Sequence, residues 1–567
     1  MSTVYGPPAQ RPHRLSRRGS IGAATACAAT LAIAGCGGRT TAGRAGGAAT
    51  SGGPQATPKR GGTIILSTNF QRGLDPHILQ ATQTGMFGMF YSLLVRANQK
   101  TYELEPDLAT KWEVPSPTEL VFTLAPNIKW HDRPPANGRP LKVEDIIFSY
   151  NRVQTKDPKF INKNYLNSID KMEAVDARTL KLTLRQPDVT QLGNLSAPGL
   201  KVLAPEVVEA ARGNLAEAST TVGTGAFILQ STETNVGSEL IRNPNYFKPG
   251  LPYVDEIKLR AFQDAQSEWS AFLAGKIDHR WVPGEDSQTF ARDKSGQYQL
   301  DWFGDLDFYI AQAMTLKKPF DDARVTGALR LLIDHDEFQK AWGQVWWGRA
   351  RHSLCYGAGT ADNWDLTEDE YKQHLEWKQP KDEAIKTALS LLAAAGFSKD
   401  KPLKFVLSGT GEASVPFQQA ASQLLQAQFR RNGAGVVDPE IKLYPSAAWD
   451  AVRSNSDFEY YVGGHATGGE DPDNSLSGTY KTGGGRNYGK MSDPQLDQMI
   501  AKQRTIFDEN ERKKAIGEIT LYMIDHVPYG CLVSRYVLNA TQLNVENFPT
   551  EGVTTNWGDH YETAWVQ

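Results

Sequence analysis

From residue 61 onward the chain alternates between two hydrophobic rhythms. GGTIILST (61–68) is a short run of β-branched residues and predicts a strand, followed by a turn at LDPH (74–77). Between Gln83 and Val95 the apolar residues Met86, Phe87, Phe90, Leu93 and Leu94 fall at helical spacing. ELVFTLAPNIKW (119–130) and TLKLTLR (179–185) alternate with period two, as strands with one buried face do. VEDIIFSYNRV (143–153) opens on acids and continues with a helical apolar stripe. The segment DPQLDQMIAKQRTIFDENERKKAIGEITLYMID (493–525) predicts two helices. Strands and helices mixed without an internal repeat predict an α/β or α+β body.

The front of the chain follows neither rhythm. Residues 1–20 are polar and basic, with Arg11, Arg14, Arg17 and Arg18, and Ile21 to Ala34 are small and apolar. Fourteen such residues are too few to span about 30 Å of hydrocarbon, and a basic, then apolar, then small-residue order predicts an export signal over 1–35. The stretch Leu31-Ala32-Ile33-Ala34-Gly35-Cys36 resembles the bacterial lipobox, with Ile33 where leucine is commoner. That resemblance implies cleavage before Cys36 and a lipid on its sulfur. Ser16-Arg17-Arg18 resembles a twin-arginine signal, with Ser20 where phenylalanine is preferred, so the twin-arginine and general secretory routes both stay open. Residues 36–60, rich in Gly, Ala, Thr and Ser, are then a flexible tether. The expected location is the extracytoplasmic face of the cell membrane, lipid-anchored.

Composition narrows the classes. The 567 residues are 40% hydrophobic, 22% charged and 10% aromatic, an ordinary globular mixture that excludes a wholly disordered or fibrous chain. The formal charge is −3; removing the four arginines of residues 1–35, which hold no acid, leaves 57 basic against 64 acidic side chains. A mildly acidic body gives no support for nucleic-acid binding. Four cysteines exclude a disulfide-dense scaffold. Cys355 and Cys531, those of the predicted mature body, either pair outside the membrane or remain separate buried thiols.

Several segments now carry a resemblance. GGTIIL, LDPH, EPDLATKWEV (105–114), FTLAPNIKWHD (122–132) and LKVEDIIFSYNRV occur in the order and spacing of the extracellular solute-binding proteins of family 5. These are the dipeptide- and oligopeptide-binding receptors of ABC importers. GTGAFIL (223–229), RNPNYF (242–247), AGKIDHRW (274–281), PFDDARVTGALRLLIDHDEF (319–338) and GGEDPDNSL (468–476) continue it, over about 61–548. The resemblance implies an α/β, two-lobed periplasmic-binding-protein (flytrap) fold, type II-like, with an extra domain inserted in the first lobe. By analogy lobe I is 61–82, 190–267 and 532–567, the inserted domain 83–189, and lobe II 268–531. It implies a monomeric receptor that captures a solute and delivers it to a membrane permease, with no cofactor and no catalysis. A sensor of the same fold without transport is the alternative.

Ligand-binding residues follow by the same analogy. In peptide-binding relatives an aspartate pairs with the peptide's ammonium; anchoring on Asp471-Pro472 puts Gly468 at that position and His465 at the neighbouring aromatic one. Either Glu470 supplies the carboxylate from a shifted loop, or the ligand has no free α-ammonium there. Asp305, Asp307, Glu470 and Asp471 are expected to line the cleft, which favours a cationic, arginine-like or amine-bearing solute. Asn69, Phe70 and Gln71, after the first strand, are expected along the ligand. Trp281, Phe308, Tyr309, Arg453, Arg486 and Tyr488 complete the set, as aromatic walls with a few polar anchors.

Catalytic and metal motifs fail. GxSxG and HExxH are absent, and GTGEAS (409–414) lacks the third glycine of a dinucleotide loop. DPDNSLSGTYKT (471–482) starts like a calcium loop but has Leu476 and Thr482 where glycine and glutamate are needed. SIDK (168–171) with KTG (481–483) mimics a penicillin-interacting serine enzyme on Ser168, without the intervening SxN. WHD (130–132), PFDD (319–322), Gly223 and Gly225 are expected to be turn and helix-start chemistry.

Overall fold

The computed structural model describes residues 57–68, 74–78, 85–98, 103–157, 159–233, 235–345, 349–354, 356–411, 416–466, 471–549 and 557–567. The export signal, Cys36, the tether before residue 57, Asn69, Phe70, Gln71, Gly468, Glu470 and Cys355 lie outside them. Pro58–Gln567 forms one compact unit. None of the described helices is long and apolar enough to cross a membrane.

The architecture is mixed α/β, and one eleven-stranded sheet runs through it. In one half, Thr63–Thr68 pairs in parallel with Glu256–Ala261, which continues antiparallel into Gly237–Arg242 and then Phe227–Glu233. In the other half, Leu403–Thr410 pairs in parallel with Val437–Tyr444, crossing over through the helix Pro416–Asn432, and touches Tyr460–Ala466. Two long antiparallel strands, Tyr298–Ala313 and Tyr529–Gln542, join the halves. Midway their register slips: Gly304 faces Tyr536 and Phe308 faces Ser534, so Asp305, Leu306 and Asp307 stand opposite Arg535 alone. Such a bulge bends the strand that carries it. The short strand Arg349–Arg351 lies along Ser534–Tyr536 at this point. Gly357 lets the next segment approach closely, since a Cβ there would sit 2.6 Å from the Asp305 carbonyl oxygen.

The resemblance starts the second lobe at 268, but the pairing carries the first half further. His279–Trp281 lies between Thr63–Thr68 and Tyr529–Gln542, with His279 opposite both Leu66 and Thr541. Phe272, Ile277, Val282 and Phe290 share an apolar cluster with Leu538 and Ala540. Described residues of 83–189 share the core of the first half. Leu120, Phe122, Leu180 and Leu182 of their four-stranded antiparallel sheet are buried in one cluster with Ile64, Leu66, Phe227 and Ile257.

Local chemistry explains most elements. The helix Val143–Val153 begins where the Asp145 carboxylate accepts the Lys142 N–H at 2.9 Å, and it buries Val143, Ile146, Tyr150 and Val153. Asp322 caps Ala323–Leu331 through the Arg324 N–H at 2.9 Å, as PFDD predicts. The 493–525 segment splits into Pro494–Gln503 and Glu509–His526, each capped by the aspartate before it. The 83–95 stripe behaves differently, with a 3₁₀ turn at Gly85–Met89 and no α-helix. Carbonyls that a helix would use internally are taken by other segments: Phe90 O accepts from Gly225 N, Ser92 O from Val202 N and Leu93 O from Leu108 N. Phe87, Phe90, Leu93 and Leu94 are all fully buried, so their spacing marks core on every side. Cys531 is a buried free thiol, its acidity pushed down by burial to a pKa of about 12.

Candidate functional site

The strand Tyr460–Ala466 sets the site. Its register puts His465 opposite Phe308 on the long strand Tyr298–Ala313. Alternation along it turns Tyr461 and His465 to one face, while Tyr460 and Val462 pack into the core on the other. The helix Ser446–Ser454 adds Arg453 near its C-terminal end, a favourable place for a cation. The loop 481–490 adds Arg486 and Tyr488. It is pinned by Gln312, whose Oε1 accepts Gly489 N at 3.1 Å, and by Asn487, which donates to the Met491 carbonyl at 2.7 Å.

These residues form a basic, aromatic cluster. The His465 ring lies 5.5 Å from Tyr488 and 5.7 Å from both Tyr461 and Phe308. The Arg453 guanidinium sits 5.2 Å over the Tyr488 ring and bonds Asp450 at 2.8 Å. Burial, and then the charges of Arg486 and Arg453, hold the His465 imidazole well below its usual pKa, so it is neutral. Arg486 faces the phenol of Tyr165, which belongs to the core of the other half. The halves meet again close by: Val189 N–H donates to the Arg504 carbonyl at 2.9 Å, and the Arg504 guanidinium lies 3.9 Å from Asp188 while binding Asp473 at 2.7 Å.

The acidic residues go elsewhere. Asp305, fully buried, accepts from Arg535 at 2.7 Å in the strand bulge. Asp471 takes both Nη atoms of Arg512, at 2.6 and 2.7 Å, and caps the short helix Pro472–Ser475. Two of the four carboxylates expected to face a cationic solute are therefore committed to arginines. Glu470 lies outside the described residues, and Asp307 is placed by its backbone, opposite Ala466. Phe308 and Tyr309 point to opposite faces, Phe308 into the His465 cluster and Tyr309 over Arg535, 5.5 Å away. Trp281 sits opposite Asn539 in the first half and joins none of these contacts with His465. Tyr165, Tyr461 and Thr479, whose hydroxyl lies 3.4 Å from His465 Nδ1, are absent from the sequence expectations; Tyr165 is brought in by contact between halves, for which a linear sequence holds no signal.

The enzyme-like motifs dissolve into structure. Ser168 donates to Asp188, and Lys171, on the strand Ile169–Asp176, pairs with Glu173 at 2.6 Å, so SIDK is not one turn of a catalytic helix. Gly223 and Gly225 lie against the Phe90 backbone, where a Cβ would clash. Among the described residues no group of three His, Cys, Asp or Glu is placed to hold a metal ion. A polar hollow of about 240 Å³ between His279, Asp301, Asn539, Thr541 and Phe548 takes in none of the anticipated residues.

A profile described as bacterial extracellular solute-binding proteins, family 5 Middle, matches residues 103–487, more than half of the chain. The chain belongs to family 5 of the bacterial extracellular solute-binding proteins. The periplasmic oligopeptide-binding protein OppA of Salmonella typhimurium is 24% identical over 468 residues, covering 78% of this chain and 81% of that one. Haemophilus influenzae OppA in complex with RPPGFSPFR superimposes with a TM-score of 0.74 at 18% identity, over 90% of this chain and all of that one. The binding protein AgaA with agropinic acid, from A. tumefaciens R10, gives 0.72 at 22% identity, over 89% and 99%. This family 5 protein thus has the two-lobed binding-protein fold and is a solute-binding protein of ABC importers.

Proposed function

We propose that this family 5 protein is a lipid-anchored receptor that closes its two lobes over a peptide or peptide-like solute and hands it to a membrane permease. The observation that supports it most is the meeting of the halves at Tyr165–Arg486 and Val189–Arg504, beside the His465 cluster. The lobes then change over at Gly304–Phe308 and Ser534–Tyr536, where the register slip provides the bend. Relatives named for an oligopeptide and for agropinic acid support a solute of this size without selecting one. The cationic solute anticipated from sequence loses the support of Asp305 and Asp471, and its remaining named carboxylates are Asp307 and Glu470.

Native mass spectrometry of freshly purified protein, followed by scattering with and without the released solute, tests this. A retained solute that compacts the protein is expected; a solute that binds with unchanged scattering contradicts closure. Anchoring is tested separately, because Cys36→Ser should release the protein from membranes and abolish labelling by a palmitate analogue. Full retention and labelling of that variant would contradict the anchor.

A further inference from the structure

The groups around His465 specify which end of a solute they can hold. His465 is 2% exposed, its Nδ1 lies 3.4 Å from the Thr479 hydroxyl, and its Nε2 has no hydrogen-bond partner among the described residues. A neutral imidazole carries one N–H. The Nδ1–Thr479 contact accommodates either tautomer; in the one where the Thr479 hydroxyl donates to Nδ1, that proton is on Nε2 and the unpartnered atom is a donor. Arg453 repeats the pattern. One Nη binds Asp450, whose side chain is 53% exposed and well screened by water, and the guanidinium also meets the Tyr461 phenol, while its buried Nε has no partner among the described residues. No carboxylate among the described residues pairs with Arg486, which faces a phenol instead. Buried donors without acceptors are costly. Donors of one sign collected where two lobes meet are relieved by an acceptor of the opposite charge arriving with the solute. A planar carboxylate matches two guanidiniums and an N–H better than any neutral group does.

We propose that Arg453, Arg486 and His465, walled by Tyr488, Tyr461 and Phe308, form an anion subsite that receives a carboxylate of the solute. The protein then selects acidic or zwitterionic solutes and holds their acid end at this point of the closed lobes. This rests on the solute-receptor reading and names its ligand class. Asp471 and Asp473 do not compete for these groups, since they are bound to Arg512 and Arg504.

The test uses four forms of trialanine in calorimetry and thermal-shift measurements on the purified protein: free, N-acetylated, C-terminally amidated, and blocked at both ends. Free and N-acetylated trialanine should bind within about threefold of each other. Amidation should weaken binding at least about tenfold, and Arg453→Gln or Arg486→Gln should impose a similar loss on the acids while leaving the amides unchanged. Arg486→Lys should restore much of it. If amidated peptides bind as tightly as acids, or the arginine variants bind acids unchanged, the anion subsite is overturned and the receptor reading stands. If none of the four forms binds, the peptide-receptor reading falls together with the subsite.

Discussion

Asp305 and His465 lie close together on one pair of strands, Asp305 three residues before the Phe308 that faces His465, yet charge is handled in opposite ways at the two places. At Asp305 a fully buried carboxylate and the buried Arg535 satisfy one another across the strand bulge. Around His465 two guanidiniums and a neutral imidazole are gathered with one exposed acid, Asp450. A buried pair of opposite charges is complete in itself and has nothing to offer a ligand. An excess of one sign, with donors left over, is unfinished without one. On the proposed reading the bulge is where the molecule bends, and the His465 cluster is where it binds.

Breaking the first of these should have the largest effect. Asp305→Ala removes the buried carboxylate that the Arg535 guanidinium binds and should lower unfolding free energy by about 3–5 kcal/mol, read by denaturant titration. Arg453→Gln, whose ion-pair partner Asp450 is exposed and screened, should cost less than about 1 kcal/mol in the same assay. Equal losses would erase the distinction between the two regions.

Acid should act next, on other self-contained pairs. Burial by itself would raise the Glu376 carboxyl, but Arg330 and His335 outweigh it and hold its pKa at about 2 against an ordinary 4.5. A folded pKa below the unfolded one gives stability that is present above about pH 4.5 and lost as pH falls toward 2, here roughly 3 kcal/mol at most. Glu376→Gln should be less stable at neutral pH and should lack this share of the acid loss; an unchanged acid profile would contradict the pairing.

Arg504→Ala should cost about 2 kcal/mol by leaving buried Asp473 with Gln503 and Ser477 as partners. It should also enlarge the solute-free particle in scattering by weakening the Asp188 and Val189 contacts between halves. A destabilised variant of unchanged dimensions would make Arg504 a support of its own lobe alone. The smallest effect expected is none: with the His465 pKa held far below 6.5, affinity for N-acetyl trialanine should stay flat from pH 8 to about pH 6. A rise in affinity on acidification through that range would mean that His465 titrates in the site.

Much of the fold was legible because it is local. Thr63–Thr68, Glu119–Leu124 and Thr179–Leu184 alternate in sequence and in burial alike, and Val143–Val153 carries its own cap and stripe. The long strand Tyr298–Ala313 hid behind Asp301, Gly304, Asp305 and Asp307, polar residues whose partners lie far away in the chain. The stripe of 83–95 misled because total burial and helical spacing look alike when the run is short. At the site the residue types were legible and their charge balance was not. Asp305 and Asp471 looked available until Arg535 and Arg512 came to meet them, whereas Arg453 and Arg486 became conspicuous by lacking such a buried acid.

The most direct test of the carboxylate subsite is native mass spectrometry of the wild-type protein and the Arg453→Gln/Arg486→Gln variant, purified side by side, with the released solute treated by a carboxyl-esterifying reagent. The wild type should release a solute that esterifies, and the variant, with its melting temperature nearly unchanged, should come away without it. A variant that retains the same solute, or a wild-type solute with no acid group to esterify, would contradict the account.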